Sequence, residues 1–84
     1  MRLFLQQRPA ASEAPKFVQL VLEQDLLGGW SVIRESGTVG QRSTLKREQF
    51  LEQPAALAAF ERARDTHLKK GYQVMFTQGP GAPR

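Results

Sequence analysis

Four basic side chains lie around a glycine-containing segment in the middle of the chain and could bind phosphate groups. Arg34 precedes residues 36–40 (SGTVG), and Arg42, Lys46 and Arg47 follow them. Clustered cations attract polyanions such as DNA over long distances, and nearby hydroxyls can add hydrogen bonds to phosphate. The residue types therefore indicate a candidate nucleic-acid-binding set, which comprises Arg34, Ser36, Thr38, Arg42, Lys46 and Arg47. The same cations are also typical of a solvated strand edge that resists aggregation.

Gly37 and Gly40 have the G-x-x-G spacing of loops in which the backbone approaches a phosphate closely. Phosphate loops need a helix N-terminus or a nest of amides behind them, and no Gly-Lys-Ser/Thr follows here. The next residues, 41–50, alternate as a strand does, so we expect residues 36–40 to form a hairpin turn. In such a strand Arg42 and Lys46 share one face, and Arg47 points to the other.

Side chains that could perform catalysis or bind a metal ion follow no recognisable pattern. There is no cysteine, and the single histidine, His67, lies beside the apolar stripe of a predicted helix, where a structural histidine is typical. The acidic pairs Glu23/Asp25 and Glu48/Glu52 flank a turn and precede that helix. A chain of 84 residues also has little room for a deep pocket. We therefore expect a non-enzymatic protein with no cofactor and no metal ion.

The net charge of +4 is distributed unevenly along the chain. Residues 34–47 carry a net +3, residues 48–61 a net −3 and residues 62–70 a net +3. Two basic segments around an acidic one favour DNA or another polyanion as a partner, although a solvated surface has the same composition. A protein partner or self-association is the alternative.

The N-terminal apolar run is only three residues long, which is too short for a secretory signal. No stretch approaches the roughly 18–20 apolar residues of a membrane span. We therefore expect a cytoplasmic protein with no membrane partner.

The chain is expected to form a single domain over residues 1–84, with a loop at 9–15 and a flexible tail at 77–84 where prolines and glycines concentrate. Periodicity and turn residues predict five strands and one helix. The strands are expected at 2–7, 16–24, 30–35, 41–50 and 72–76, and the helix at 54–70. The strand predicted at residues 41–50 contains several charged side chains, so we expect it at an edge of the sheet.

Side-chain alternation predicts which faces are buried. Val18, Leu20 and Leu22 share one face of their strand, and an apolar helix stripe around Phe60 can cover them. Trp30 is expected in the core, and Tyr72, Val74 and Phe76 on one face of the last strand. Phe17, Val21 and Ile33 are candidates for an apolar patch opposite the helix. The fold class is therefore α+β, a small antiparallel sheet made of a meander plus terminal strands, with one amphipathic helix on one face.

Several of these landmarks resemble the WGR domain family. The strand "GGWSVIRE" (28–35) is similar to the one that leads into the family signature, which reads Trp-Gly-Arg followed by an aliphatic residue and glycine. Here that position reads Ser36-Gly37-Thr38-Val39-Gly40. Phe50, the helical Ala59 and Phe60, and "KKGY" (69–72) are similar to the family's downstream part. The resemblance covers residues 16–73, and small stand-alone bacterial members are the most similar.

The resemblance implies a compact α+β binding module. WGR domains occur in DNA-damage-sensing poly(ADP-ribose) polymerases, where they help to bind DNA ends through the signature Trp and Arg. Both side chains are replaced here, and Gly37, Val39 and Gly40 are retained. The expected function is non-enzymatic binding, either weak phosphate-driven binding of nucleic acid or, alternatively, a protein–protein or homodimer contact through a sheet edge or an apolar sheet face.

Overall fold

The protein, described by a computed structural model over residues 1–7 and 13–79, forms one antiparallel sheet with a helix against it. The spatial order of the strands is β4-β3-β2-β1-β5, so β4 and β5 form the two edges. The elements are β1 (Arg2–Gln7), β2 (Lys16–Gln24), β3 (Trp30–Thr38), β4 (Ser43–Phe50), α1 (Gln53–Lys69) and β5 (Gln73–Gln78). The predicted fold class is confirmed, and the strand predicted at 41–50 lies at an edge as expected, although it begins at Ser43.

The core lies between α1 and one face of the sheet, which we call the helix face. Cross-strand pairing places Leu3 opposite Leu20, Leu5 opposite Val18, and Leu22 opposite Val32. All six side chains are buried together with Ala56, Ala59 and Phe60 of the helix. Each buried leucine contributes about 1.5–3 kcal/mol relative to an exposed one, so this face drives folding. Trp30 is half-buried and packs against the same core, as expected.

The helix begins and ends where local chemistry predicts. Pro54 lies in its first turn, where a missing N–H costs nothing. Gly71 follows the last turn with φ of 93°, a left-handed conformation that glycine adopts without strain. The buried His67 places its Nδ1 2.8 Å from the carbonyl oxygen of Ala63, and its ring meets Tyr72 edge-on at 5.0 Å. The prediction of a structural histidine is confirmed.

The prediction of a turn at residues 36–40 is wrong in its first half. Ser36, Gly37 and Thr38 belong to β3, and the turn to β4 occupies residues 39–42. The strand continues because β2 begins at Lys16, which pairs with Thr38 and so extends the ladder to that point. Only Gly40 has a positive φ in this turn, 85°. Gly37 instead allows close approach, since a Cβ there would lie 3.0 Å from the carbonyl oxygen of Arg42.

Strand β5 differs from expectation in its face and its end. A β-bulge between Phe4 and Leu5 lets Val74 pair with Leu5 and Phe76 pair with Phe4. These partners lie on opposite faces of β1, so the predicted common face for Val74 and Phe76 is wrong. The strand continues to Gln78, so residues 77–78 of the predicted tail are in the sheet. The expectations for residues 9–12 and 80–84 lie outside the described residues.

Candidate nucleic-acid interface

The hairpin of β3 and β4 aligns most of the predicted site on the helix face. Arg34 pairs with Lys46, and Ser36 pairs with Thr44. Because side chains two residues apart share a face, Arg34, Ser36 and Thr38 continue the row that begins with the buried Val32. The continuation of β3 to Thr38 therefore places two cations and three hydroxyls on one surface.

Two further cations lie at the end of this surface. Arg42 is exposed in the turn, one residue before β4 begins. Lys16 pairs with Thr38 and lies on the same face of β2 as the buried Val18. We call the whole set the basic face, which comprises Lys16, Arg34, Ser36, Thr38, Arg42, Thr44 and Lys46.

Sequence reasoning missed Lys16 as a site residue because it stands more than twenty positions before Thr38 in the chain. Nothing local to Lys16 distinguishes it from an ordinary strand-flanking lysine. Only the pairing of β2 with β3 brings its side chain beside the hairpin. The position could have been found by extending the predicted β2–β3 hairpin outward from its turn at residues 25–29.

The basic face carries more cations than carboxylates. Among the described residues, the salt bridge within 4.0 Å is Arg64 with Asp65, both on the helix. Glu35 lies on the opposite face of β3, where its Oε2 accepts a hydrogen bond from Ser43 Oγ at 2.7 Å. Glu48, two residues from Lys46, is the carboxylate that shares the face of β4. Arg34, Arg42 and Lys46 therefore form no salt bridge with a carboxylate of the described residues.

Arg47 is separated from the other predicted site residues. It pairs with Ile33, which puts it on the face of the sheet opposite the helix. Its Nε and Nη2 donate hydrogen bonds to Ser31 Oγ at 3.4 and 3.3 Å, and Ser31 is completely buried. This side chain therefore covers a buried hydroxyl. Its position on the other face from Lys46 agrees with the strand alternation expected from the sequence.

The size of the basic face suits a short run of phosphates. Four residues of strand separate Arg34 from Thr38, a distance of about 13 Å. One strand of B-form DNA carries a phosphate about every 3.4 Å of helix axis, so about four phosphates of one strand fall within this length of the axis. The face is exposed at Arg42, Thr44 and Lys46, and half-buried at Arg34, Ser36 and Thr38.

Metal sites, membrane-spanning helices and pockets are the other features of the described residues that bear on function. They contain no group of three or more His, Cys, Asp or Glu side chains that could hold a metal ion. The helix in this part of the chain is too short and too polar to cross a membrane. A shallow depression of about 360 Å³ is lined by Met1, Arg2, Val21, Leu22, Glu23, Gln78 and Gly79, a set without a paired acid and base.

The face of the sheet without a helix, which we call the open face, carries an apolar group. The predicted candidates Phe17, Val21 and Ile33 all lie there. The Phe4 and Phe17 rings stack with centroids 6.0 Å apart, and Phe76 pairs beside Phe4. Leu45 adds an exposed side chain at the β4 edge. The chain therefore has a polar basic surface on one face and an apolar surface on the other.

Comparison with known proteins identifies one similarity. The family model described as WGR domain matches residues 1–78, which is nearly the whole chain. Searches of curated proteins and of solved structures found no significant match.

Proposed function

Because the chain belongs to the WGR domain family, we propose that it is a binding module whose basic face holds the phosphate backbone of a nucleic acid. The family is a nucleic-acid-binding type of module and not a catalytic one. The observation that carries the proposal is the alignment of Arg34 with Lys46 beside Ser36 and Thr38, without a bound carboxylate.

The replaced signature sets the expected mode of binding. Ser36 and Thr38 stand where the family usually presents Trp and Arg, so this chain has no aromatic ring there to stack on a base. The cation lost at Thr38 has a substitute across the ladder, because Lys16 pairs with that residue. Phosphate contacts position a nucleic acid without reading its sequence. Binding is therefore expected to be independent of sequence.

The four cations of the basic face set the expected salt dependence. Each neutralised phosphate of B-form DNA contributes about −0.9 to the slope of log K against log salt concentration. Four contacts therefore give a slope of about −3.6, and an affinity in the range of about 1–100 μM typical of non-specific binding. The interaction is strong at low salt and weak at physiological salt.

The experiment compares two variants that lose the same charge from different faces. Arg42→Gln combined with Lys46→Gln removes two exposed cations from the basic face. The control, Arg2→Gln combined with Arg47→Gln, removes two cations from the open face. Arg2 pairs with Val21 and Arg47 pairs with Ile33, and Val21 pairs with Ile33, so both cations lie in one cross-strand row. A labelled duplex is titrated by fluorescence anisotropy at several salt concentrations.

The basic-face variant should lose at least tenfold in affinity at low salt, with a slope shallower by about 1.8. The open-face control should change the affinity less than threefold and leave the slope almost unchanged. Equal losses in both variants would mean that net charge alone drives binding and that the basic face is not the interface.

A second candidate function is a protein–protein contact through the open face, favoured by the stacked Phe4 and Phe17 and the exposed Phe76. Five strands spaced about 4.8 Å apart and up to nine residues long give roughly 500–600 Å². Stable interfaces bury about 800 Å² per partner, so this face suits a transient contact. Light scattering tests the self-association form, which predicts a mass above the monomer that Phe76→Glu reduces.

A further inference from the structure

Three leucines at one end of the sheet are almost completely exposed. Leu26 and Leu27 lie in the turn between β2 and β3, with relative exposures of 101% and 94%, and Leu51 lies between β4 and α1, with 92%. We call this group the leucine tip. Single exposed apolar side chains are ordinary, whereas three from two separate segments at one place indicate a contact site.

The turn that carries Leu26 and Leu27 is closed by hydrogen bonds within the turn and from β4. The Asp25 backbone N–H donates to the Gly29 carbonyl at 2.7 Å, and the Gly28 N–H donates to the Asp25 carbonyl at 3.1 Å. Gln49 on β4 donates from its Nε2 to Asp25 Oδ2 at 3.1 Å. A preformed turn lowers the entropy cost of binding, because its leucines are already positioned.

A depression of about 240 Å³ lies between the two segments, and Leu27 and Leu51 form part of its wall. Gly29 and Phe50 also line it, and a Cβ on Gly29 would lie 2.8 Å from the Phe50 carbonyl oxygen. Ligand pockets for drug-sized molecules measure about 300–1,000 Å³. The smaller volume here suits one apolar side chain of a partner.

Charge around the leucine tip decides which partner fits. Residues 22–31 and 47–56 contain the four carboxylates of Glu23, Asp25, Glu48 and Glu52 against Arg47, a net charge of −3 in a chain of net +4. The Met1 ammonium and Arg2 line a depression with Glu23 and reduce this charge on the β1 side, so the acidic part of the tip is the β3–β4 side with Asp25, Glu48 and Glu52. Such a surface repels nucleic acids and anionic lipids. A second copy docked symmetrically would place the same carboxylates against each other. The complementary partner therefore carries basic side chains around an apolar one.

We propose that the leucine tip docks a protein segment that presents an aliphatic side chain flanked by Lys or Arg. The side chain enters the depression between Leu27 and Leu51, and the flanking cations face Asp25, which lines the depression, and Glu52. The tip and the turn at residues 39–42 lie at opposite ends of β3, about 26 Å apart. A partner at the tip therefore leaves the basic face accessible, and the two sites can be occupied together.

The test uses two synthetic hexapeptides as probes, each with a central pair of leucines flanked by lysines in one and by glutamates in the other. Leucine methyl groups of the full chain are followed by NMR during each titration. The lysine-flanked peptide should shift the methyl signals of Leu26, Leu27 and Leu51 with sub-millimolar affinity, and the glutamate-flanked peptide should not. No shift with either peptide up to about 5 mM, or equal shifts with both, overturns the proposal.

Two variants distinguish a specific docking site from non-specific hydrophobic binding. Leu26→Ser combined with Leu27→Ser should weaken binding of the lysine-flanked peptide at least tenfold. Leu45→Ser, a matched change of an exposed leucine on the open face, should leave peptide binding unchanged. Both variants should keep the thermal unfolding midpoint and the DNA affinity of the parent chain. Peptide binding that survives the tip variant, or that Leu45→Ser reduces equally, refutes the assignment.

Discussion

Gly37 and Gly40 should tolerate substitution differently, although both belong to the retained part of the family signature. At Gly37 the limit is space, since a Cβ would lie 3.0 Å from the Arg42 carbonyl oxygen and 3.0 Å from the Ser43 Cα. At Gly40 the limit is conformation, since φ is 85° and nothing lies within 4 Å of the added Cβ. Two different physical causes therefore act three residues apart.

The magnitudes follow from those causes. Gly40→Ala places an L-residue in the left-handed region and should cost about 1–2 kcal/mol. Asn visits that region more readily, so Gly40→Asn should cost less than Gly40→Ala. Gly37→Ala forces two backbone segments apart at a cost of about 1–3 kcal/mol, and Gly37→Asn should cost more because its side chain is larger. The order of Ala and Asn therefore reverses between the two positions.

Thermal and urea denaturation of the four variants measure this order. For a domain of this size, each kcal/mol lowers the unfolding midpoint by about 4–8 °C. The Gly37 variants should also weaken DNA binding, because they displace Arg42 in the turn and Lys46 on β4 from Arg34 on β3. If Asn is better tolerated than Ala at Gly37, or worse tolerated at Gly40, the distinction between space and conformation is wrong.

Two further predictions test the core and the additional cation. Leu20→Ala, at a position that is completely buried, should lower the unfolding free energy by about 2–5 kcal/mol in urea denaturation; a loss below 1 kcal/mol would contradict the packing between α1 and β2. Lys16→Gln should make the salt slope of DNA binding shallower by about 0.9 with the unfolding midpoint unchanged, whereas Lys69→Gln at the helix end should alter the slope less. An unchanged slope for Lys16→Gln removes that residue from the basic face.

Much of the fold was predictable because its signals are local. The alternation of Val18, Leu20 and Leu22 marks a strand buried on one face, and this period does not depend on the partner strands. The helix is likewise indicated by Pro54 at its start and Gly71 after its end. Its stripe of Ala56, Phe60 and His67 follows the helical period, which local geometry alone requires.

The end of β3 was not predictable in this way. Ser36 and Gly37 are residue types that favour turns, so local preference predicts a turn there. They form strand because β2 extends back to Lys16 and supplies pairing partners up to Thr38. Hydrogen bonds from a segment twenty residues away therefore outweighed the local preference. The β5 bulge has the same origin, since it reflects pairing with β1 and not a feature of residues 73–78.

The sequence by itself determined the residue types of the basic face, the separation of Arg47 from Arg42 and Lys46, and the loss of the signature Trp and Arg. The tertiary structure alone decided which of these cations meet, because strand register joins positions that are distant in the chain. It paired Arg34 with Lys46, brought Lys16 beside Thr38, and gathered Leu26, Leu27 and Leu51 at the acidic end. Side-chain chemistry is local, whereas a surface is assembled from several segments.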